Sequence, residues 1–301
     1  MRLNQIRVFL SVVESGSIHA AARILEVSPP AITKSVRQLE EELHVRLLDR
    51  TRHGVVATPA GRTFLARARV AHSELRKAEE ELSNYAGGHT GSVAFGVGPT
   101  HMLLIVPEAV PQFRLQYPGV RLRIVEGPHP PLVRQVRDET LDFALGLKPE
   151  LKLDSGLSFR PLFRDDFLVA ARKGHPLHGA RTLARLADAQ WLTLTPRASP
   201  GGLVDQAFSA AGLPIPPSVI ECESFTGIVA LLARSDMVTL TTRRLLASPF
   251  ARDDLQEIPI ADRLPSITHG IFMRSGAPLT KPAAALAKAV TLAARKLVRR
   301  G

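Results

Sequence analysis

The sequence predicts an α/β protein preceded by an N-terminal all-α winged helix-turn-helix, and three observations carry that reading. Apolar residues keep a three-and-four spacing through the first 43 positions, then give way to two short extended runs around a basic tip. A stretch without proline, residues 60–85, repeats apolar positions at heptad spacing. From Gly91 onward, β-rich runs alternate with amphipathic ones, the pattern of strands joined by helices.

Leu3, Ile6, Phe9, Leu10 and Val13 fall on one face of a first helix. Ser15-Gly16-Ser17 breaks it, with Gly16 suited to a helix end and Ser17 to the cap of the next. The second helix is short, and its Ala20, Ala21 and Leu25 are small enough for close packing. A tight turn at Glu26-Val27 leads to Ser28, a second N-cap, and to Pro29 and Pro30, whose missing N–H groups cost nothing in a first turn. Ile32, Val36, Leu39 and Leu43 then line the buried side of a third helix. Its exposed N-terminal half carries Pro29, Pro30, Thr33, Lys34 and Arg37.

A short helix, a tight turn and a longer helix with a polar leading half are what a major-groove reader requires. Leu47 to Thr51 and Val55 to Thr58 form a hairpin with the basic tip Arg52-His53-Gly54, a wing from which Arg50 and Arg52 reach phosphates or the narrow groove. Net charge alone does not argue for DNA here. Residues 1–58 hold eight Lys/Arg against six Asp/Glu, and placement decides, with acids late in the third helix and bases at its start and in the wing. The expected DNA contacts are therefore Ser28, Pro29, Pro30, Thr33, Lys34, Arg37, Arg50 and Arg52.

The opening helix, the Gly16-Ser17 break, the run Ala20-Ala21-Ala22-Arg23-Ile24-Leu25, the stretch from Val27-Ser28-Pro29-Pro30 to Leu43, and Leu47-Leu48-Asp49-Arg50-Thr51 together resemble LysR-type transcriptional regulators. The match is strongest over residues 1–65, and the layout of the remainder agrees with it. Two positions depart from the pattern: the family usually has Gln where Pro29 stands and Arg where Lys34 stands, so base preference does not transfer.

Thr58-Pro59 is another cap pair and opens one long helix to about Tyr85. Phe64, Ala68, Ala71, Leu75, Ala78 and Leu82 repeat at alternating three and four, the seam of a two-helix pairing. Such a helix spans about 40 Å, more than one small domain covers, so self-association is expected. The resemblance implies the same, and adds a dimer of dimers through the C-terminal domains. Gly87-Gly88-His89-Thr90-Gly91 ends the helix as a hinge.

The expected strands are 92–97, 120–126, 142–147, 167–171, 191–194, 219–222, 237–241 and 267–273; the expected helices are 103–117, 132–139, 202–211, 226–233 and 282–298. The resemblance implies two α/β subdomains joined by crossing strands, like a periplasmic binding protein, with a ligand cleft between them. The domains then run 1–58 for the DNA reader, 59–90 for the linker helix and hinge, and 91–301 for effector binding. Within the last, subdomain I takes 91–161 and 267–301 and subdomain II takes 162–266.

Loops at strand C-terminal ends and helix N-termini name the expected effector contacts: Thr100, His101 and His129 on one side; Arg197, Ser199, Gly201, Phe225, Thr226 and Thr241 on the other. For any one of these residues, a cap or turn role explains it equally well. Residues 91–301 hold 26 Lys/Arg against 18 Asp/Glu, which points to an anionic effector. Hydroxyl donors with a histidine or arginine suit an aromatic carboxylate or sulfonate, its ring against Phe225.

The whole chain of 301 residues is 45% hydrophobic and 22% charged, ordinary for a folded protein, with a formal charge of +11. That charge fits nucleic acid, anionic membrane or anionic metabolites. The single Cys222 leaves no intrachain disulfide or paired-cysteine metal site and reads as a buried structural thiol. Enzyme motifs are missing: Ser199-Pro200-Gly201-Gly202 reads as a helix start, and ten scattered histidines suggest no metal centre. No catalytic residue, metal or further cofactor is expected. The start lacks a signal-peptide core and no apolar run spans a membrane, so the expected location is the cytoplasm. Expected partners are double-stranded promoter DNA, the small-molecule effector and further copies of the chain, with RNA polymerase as another candidate. The rival reading is a cytoplasmic small-molecule binding protein whose N-terminal helices only dimerise it.

Overall fold

The computed structural model describes residues 1–52, 54–85, 91–148, 153–194, 202–217 and 219–300. The chain divides into two compact units, Met1–Thr90 with Asp138–Thr140, and Gly91–Arg137 with Leu141–Gly301.

In the first unit, α1 (Leu3–Ser15), α2 (Ile18–Ile24) and α3 (Pro29–Leu43) precede a hairpin of β1 (Leu48–Thr51) and β2 (Gly54–Ala57), and α4 (Pro59–Tyr85) follows. The helices form where the apolar periodicity puts them, because each buries one stripe. Val8 and Val12 pack with Ala21, Ala22, Ile32 and Val36. Ile6, Phe9 and Leu10 pack with Leu39 and Leu47. Gly16 ends α1 at φ 64° and the Ser17 hydroxyl accepts from Ala20 N–H at 3.4 Å, so the predicted break and cap are both present. Glu26 turns between α2 and α3 at φ 54°.

Ser28 is the N-cap residue of α3, yet its hydroxyl makes no cap bond, unlike the role expected for it. A different side chain ties this unit together. One carboxylate oxygen of Glu40 accepts from the N–H of Leu47 at 2.7 Å and of Leu48 at 3.0 Å, holding the start of the hairpin against α3. Val55 N–H donates to Gly16 O at 2.8 Å and fixes the other strand to the end of α1. Gly54, at φ 130°, allows this approach: a Cβ there would stand 2.5 Å from Gly16 O.

The seam expected along α4 loses its first two residues to the chain's own core. Phe64 packs edge-on against Phe9 with centroids 5.2 Å apart, and Ala68 is buried in the same core, so both face α1 of their own chain. Ala71 and Ala78 are exposed, and Leu75 and Leu82 leave 46% and 68% of their surface open.

The second unit is built on a mixed sheet, nine-stranded among the described residues: β3 (Ser92–Val97), β4 (Arg121–Glu126), β5 (Phe143–Leu147), β6 (Leu157–Arg172), β7 (Gln190–Thr193), β8 (Val219–Glu221), β9 (Met237–Thr242), β10 (Leu255–Ile258) and β11 (Ser266–Arg274). The order is β4-β3-β5-β11-β6-β9-β7-β8, with β10 beside β6. Parallel pairing joins β4, β3 and β5 at one end and β8, β7 and β9 at the other. Between them β6 and β11 run antiparallel to each other and to their neighbours, so the sheet is mixed. β6, 16 residues long, serves three cores in turn: Leu157 and Phe159 at its start, Leu162 and Phe163 midway, and Val169 and Ala171 at its end.

The helices are α5 (Pro99–Leu104), α6 (Val106–Gln116), α7 (His129–Arg137), α8 (Leu203–Ala210), α9 (Phe225–Leu232), α10 (Arg243–Leu246) and α11 (Lys281–Arg300). The single helix expected over 103–117 is two, broken at Ile105, because Pro107 has no N–H to continue the first and suits the start of a second. β10 and α10 had no signal in the sequence. Cys222 is only half-buried, its thiol donating to Ser224 O at 3.4 Å, so it is not the buried thiol expected.

Gly61 supplies a test of the first unit. A Cβ there would sit 1.9 Å from the carbonyl oxygen of Leu47, against backbone that Glu40 already holds. Gly61→Ala should cost about 3 kcal/mol, lowering the unfolding transition of the first unit and leaving that of the second unit in place. A calorimetric scan with an unshifted first transition would contradict the packing of α4 on the hairpin.

Candidate functional site

The first candidate surface lies between α3 and the hairpin. It is a groove of about 870 Å³ whose lining includes Thr33, Arg37, Glu41, Arg46, Asp49 and Arg50. Ser28, Pro30, Lys34 and Arg37 on α3 are exposed, as are Arg50 and Arg52 on the hairpin, while Pro29 and Thr33 are half-buried. All eight residues expected to touch DNA thus lie on α3, its cap or the adjoining hairpin. The tip residue His53 lies outside the described residues.

Three details refine what these side chains offer. The Thr33 hydroxyl donates to Pro29 O at 3.2 Å, so it faces outward as an acceptor with a methyl group beside it. Arg37 pairs with Glu41 at 2.7 Å, but both are well exposed, and such a surface pair is worth well under about 1 kcal/mol and yields easily. Lys34 has no ion pair among the described residues, which leaves its ammonium open to a ligand.

In the second unit, the expected effector residues divide into two groups. Thr100 and His101 begin α5, and both are buried. His101 is turned inward: its Nε2 lies 3.1 Å from Nδ1 of His269 on β11, and only 1% of it is exposed, so it is not the open contact expected. His269 stacks on Phe163 with centroids 4.4 Å apart and 6° between planes. His129 begins α7 and packs its ring on Phe272 at 4.6 Å, away from open solvent. Arg244 of α10 sits over the Phe163 ring at 5.8 Å and donates to Leu297 O at 3.2 Å, tying α10 to α11.

Thr241 pairs with Leu168 across β9 and β6, one residue before the Thr242 cap of α10, and α10 packs on α5, the helix that holds Thr100. Phe225 and Thr226 begin α9 in a separate apolar cluster, with Phe225 ring-to-ring with Phe250 at 5.9 Å. The Thr226 hydroxyl is 3.0 Å from that of Ser224. Arg197, Ser199 and Gly201 lie outside the described residues. His269, Arg244 and Glu40 were missed by sequence reasoning. His269 and Arg244 matter through partners more than 50 residues away, and no local pattern announces that.

Burial sets the charge of this region. Desolvation pulls His101 well below the usual 6.5, helped by the neighbouring rings of His269 and His129. His269 is lowered to about 4 by burial and then by the Arg244 charge, and His129 to about 4 by burial alone. Desolvation raises the carboxyl of Asp165, against backbone and hydroxyl donors of Arg244, Asp166 and Thr242. The histidines are therefore neutral near pH 7 and offer hydrogen bonds rather than positive charge. Among the described residues no group of three or more His, Cys, Asp or Glu is placed to hold a metal, and no helix is long and apolar enough to cross a membrane.

A pH prediction follows with a definite sign. The unfolded chain binds protons on rings that the folded chain keeps neutral, so this stability is complete above about pH 6.5 and lost as pH falls toward 4. For His269, the loss at about pH 5 should reach about 2 kcal/mol in urea melts. His269→Asn should remove that part of the slope; identical slopes in both proteins would contradict a neutral, buried ring.

Comparison with known proteins agrees with this geometry. Residues 3–62 match the model of the bacterial regulatory helix-turn-helix protein, lysR family, and residues 86–294 match the LysR substrate binding domain. The chain is 35% identical over 285 residues to the HTH-type transcriptional regulator GalR of Pseudomonas putida, covering 93% of this chain and 70% of that one. It is 30% identical over 299 residues to the HTH-type transcriptional regulator PcaQ of Agrobacterium fabrum, covering 99% and 96%. In fold it resembles a full-length OxyR variant from Pseudomonas aeruginosa, with a TM-score of 0.73, 22% identity and coverage of 97% and 95%. It likewise resembles full-length CbnR complexed with its target DNA, with a TM-score of 0.67, 22% identity and coverage of 97% and 100%. The two family models together cover nearly the whole chain, which belongs to the LysR family of DNA-binding transcriptional regulators.

Proposed function

We propose that α3 and the hairpin read double-stranded promoter DNA in two half-sites, and that a small organic effector bound in the second unit controls the outcome. The observation that carries the first part is the exposure of Lys34, Arg50 and Arg52 around Thr33, on elements that Glu40 holds in one geometry. Thr33 accepts from a base amino group or packs its methyl on thymine, and Pro30 packs against a thymine methyl or sugar. Lys34 contacts a base edge, but as a point charge it discriminates less than an arginine fork. Ser28, Arg37, Arg50 and Arg52 hold phosphates. Pro29 completes the first turn.

The domains divide as 1–58, 59–90 and 91–301. Ala71, Leu75, Ala78 and Leu82 form the seam with a second copy, supported by the exposure of both leucines. A dimer of dimers, and contact with RNA polymerase at the promoter, extend this assembly. The neutral histidines revise the chemistry of the effector. Thr100 and His129 supply hydrogen bonding at one side, with His101 buried and no longer a contact, and an anionic group is met by Arg197, Ser199 and Gly201. An aromatic carboxylate or sulfonate, its ring on Phe225 beside Thr226 and Thr241, fits both requirements. No catalytic step is assigned to the chain.

Arg52→Ala should weaken binding to all duplex sequences and flatten the plot of log affinity against log salt by about one unit. A salt dependence equal to wild type would contradict the wing contact. Thr100→Val should abolish the thermal shift given by whichever small aromatic acid stabilises the wild-type chain, about 2.7 kcal/mol at 100 times its Kd, and leave DNA affinity intact. An unchanged shift would place the effector elsewhere.

A further inference from the structure

The charge of the second unit is concentrated in one helix. Residues 91–301 carry an excess of eight positive charges, and α11 with its last residue supplies six Lys/Arg without a single Asp or Glu. Everything else in those residues is close to balanced. The DNA-reading segment, by contrast, has an excess of only two.

The structure shows how α11 disposes of these groups. Ala283, Leu286, Ala287, Val290, Ala293 and Ala294 are buried in the core under the sheet. Lys288, Arg295 and Arg299 are exposed and share the opposite side, at spacings of seven and four residues. None of the three has an ion pair among the described residues, whereas Lys296 of the same helix pairs with Glu108 at 2.8 Å. Arg160 of β6 extends the stripe, exposed and donating to Thr291 Oγ1 at 3.1 Å.

We propose that this stripe, Lys288, Arg295 and Arg299 flanked by Arg160, is a second DNA-binding surface that holds the phosphate backbone of duplex DNA without reading sequence. Its three helical cations lie along a line of about 17 Å, the length over which one strand presents about five phosphates. A protein partner fits less well. Interface cores are depleted of charge and enriched in aromatic residues, and the exposed side of α11 offers two aliphatic side chains, Leu292 and Val298, and no aromatic one. Insertion into a membrane surface needs a broad apolar face, which α11 has already spent on its own core.

The test uses the full chain and a duplex of about 40 base pairs with random sequence, with Kd measured between about 50 and 300 mM KCl. K288Q/R295Q/R299Q should lower the slope of log Kd against log salt by about 0.9 for each contact removed, roughly two to three units. The charge-matched control K173Q/R185Q/R263Q, at exposed sites away from α11, should change it by less than about one unit. K288R/R295K/R299K should retain the wild-type slope, since phosphate contact needs charge and not a particular side chain. Equal effects in the stripe variant and its control, or none in either, overturn the proposal. So does unchanged DNA binding with loss of transcription activation by purified RNA polymerase, which would make the stripe a docking face for an acidic protein.

Discussion

Leu47 is the point on which the DNA-reading unit depends. Its side chain is buried between α1 and α3, its N–H is held by the Glu40 carboxylate at 2.7 Å, and its carbonyl accepts from Thr58 N–H at 2.9 Å. The same carbonyl lies where any side chain at Gly61 would have to go. Three elements therefore meet at one residue: the reading helix through Glu40, the hairpin through Leu47 itself, and the linker helix through Thr58 and Gly61. Hydrogen bonds from backbone N–H to a carboxylate are among the stronger ones, about 2 kcal/mol each, and here they set direction as well as stability. A reader needs its wing at a fixed angle to its helix, and this junction fixes it without using any residue of the exposed face.

The second unit follows a different logic, in which β6 and β11 carry the structure from one parallel set of strands to the other. Where they pair, the chain buries polar groups that most cores exclude: His269 opposite Phe163, Asp165 nearby, Arg244 above. Burial of a titratable ring is tolerable because the ring gives up its charge, and His101 and His269 then share one hydrogen bond, which leaves Nδ1 of His101 and Nε2 of His269 buried without a partner among the described residues. The histidines of this region are thus polar but uncharged, with the Arg244 guanidinium beside them, and the excess of positive charge in residues 91–301 is concentrated on α11.

Much of this was legible in the sequence wherever the determinant was local. Gly16 and Ser17 announce a helix end and a cap, two prolines announce a first turn, and the exposed half of α3 follows from counting apolar positions. The α4 heptad was legible too, but a periodic stripe does not say which neighbour it meets. Phe64 and Ala68 belong to the chain's own core, and Leu75 and Leu82 lie beyond it. The candidate site of the second unit was less legible. Thr100 was found from its place after a strand, yet the inward turn of His101 depends on a residue 168 positions away. Long-range strand pairing decides such matters, and β10, α10 and the mixed direction of the sheet were hidden for the same reason.

The central claim is that α3 and its hairpin read DNA as a pair of copies. The direct measurement is selection of bound duplexes from a random library by the full chain, followed by hydroxyl-radical footprinting on the winning sequence. The account predicts an interrupted palindrome, with two protected half-sites on one face of the duplex and spaced by whole helical turns of about 10.5 base pairs. A single protected patch, or no enrichment of any sequence, would contradict it.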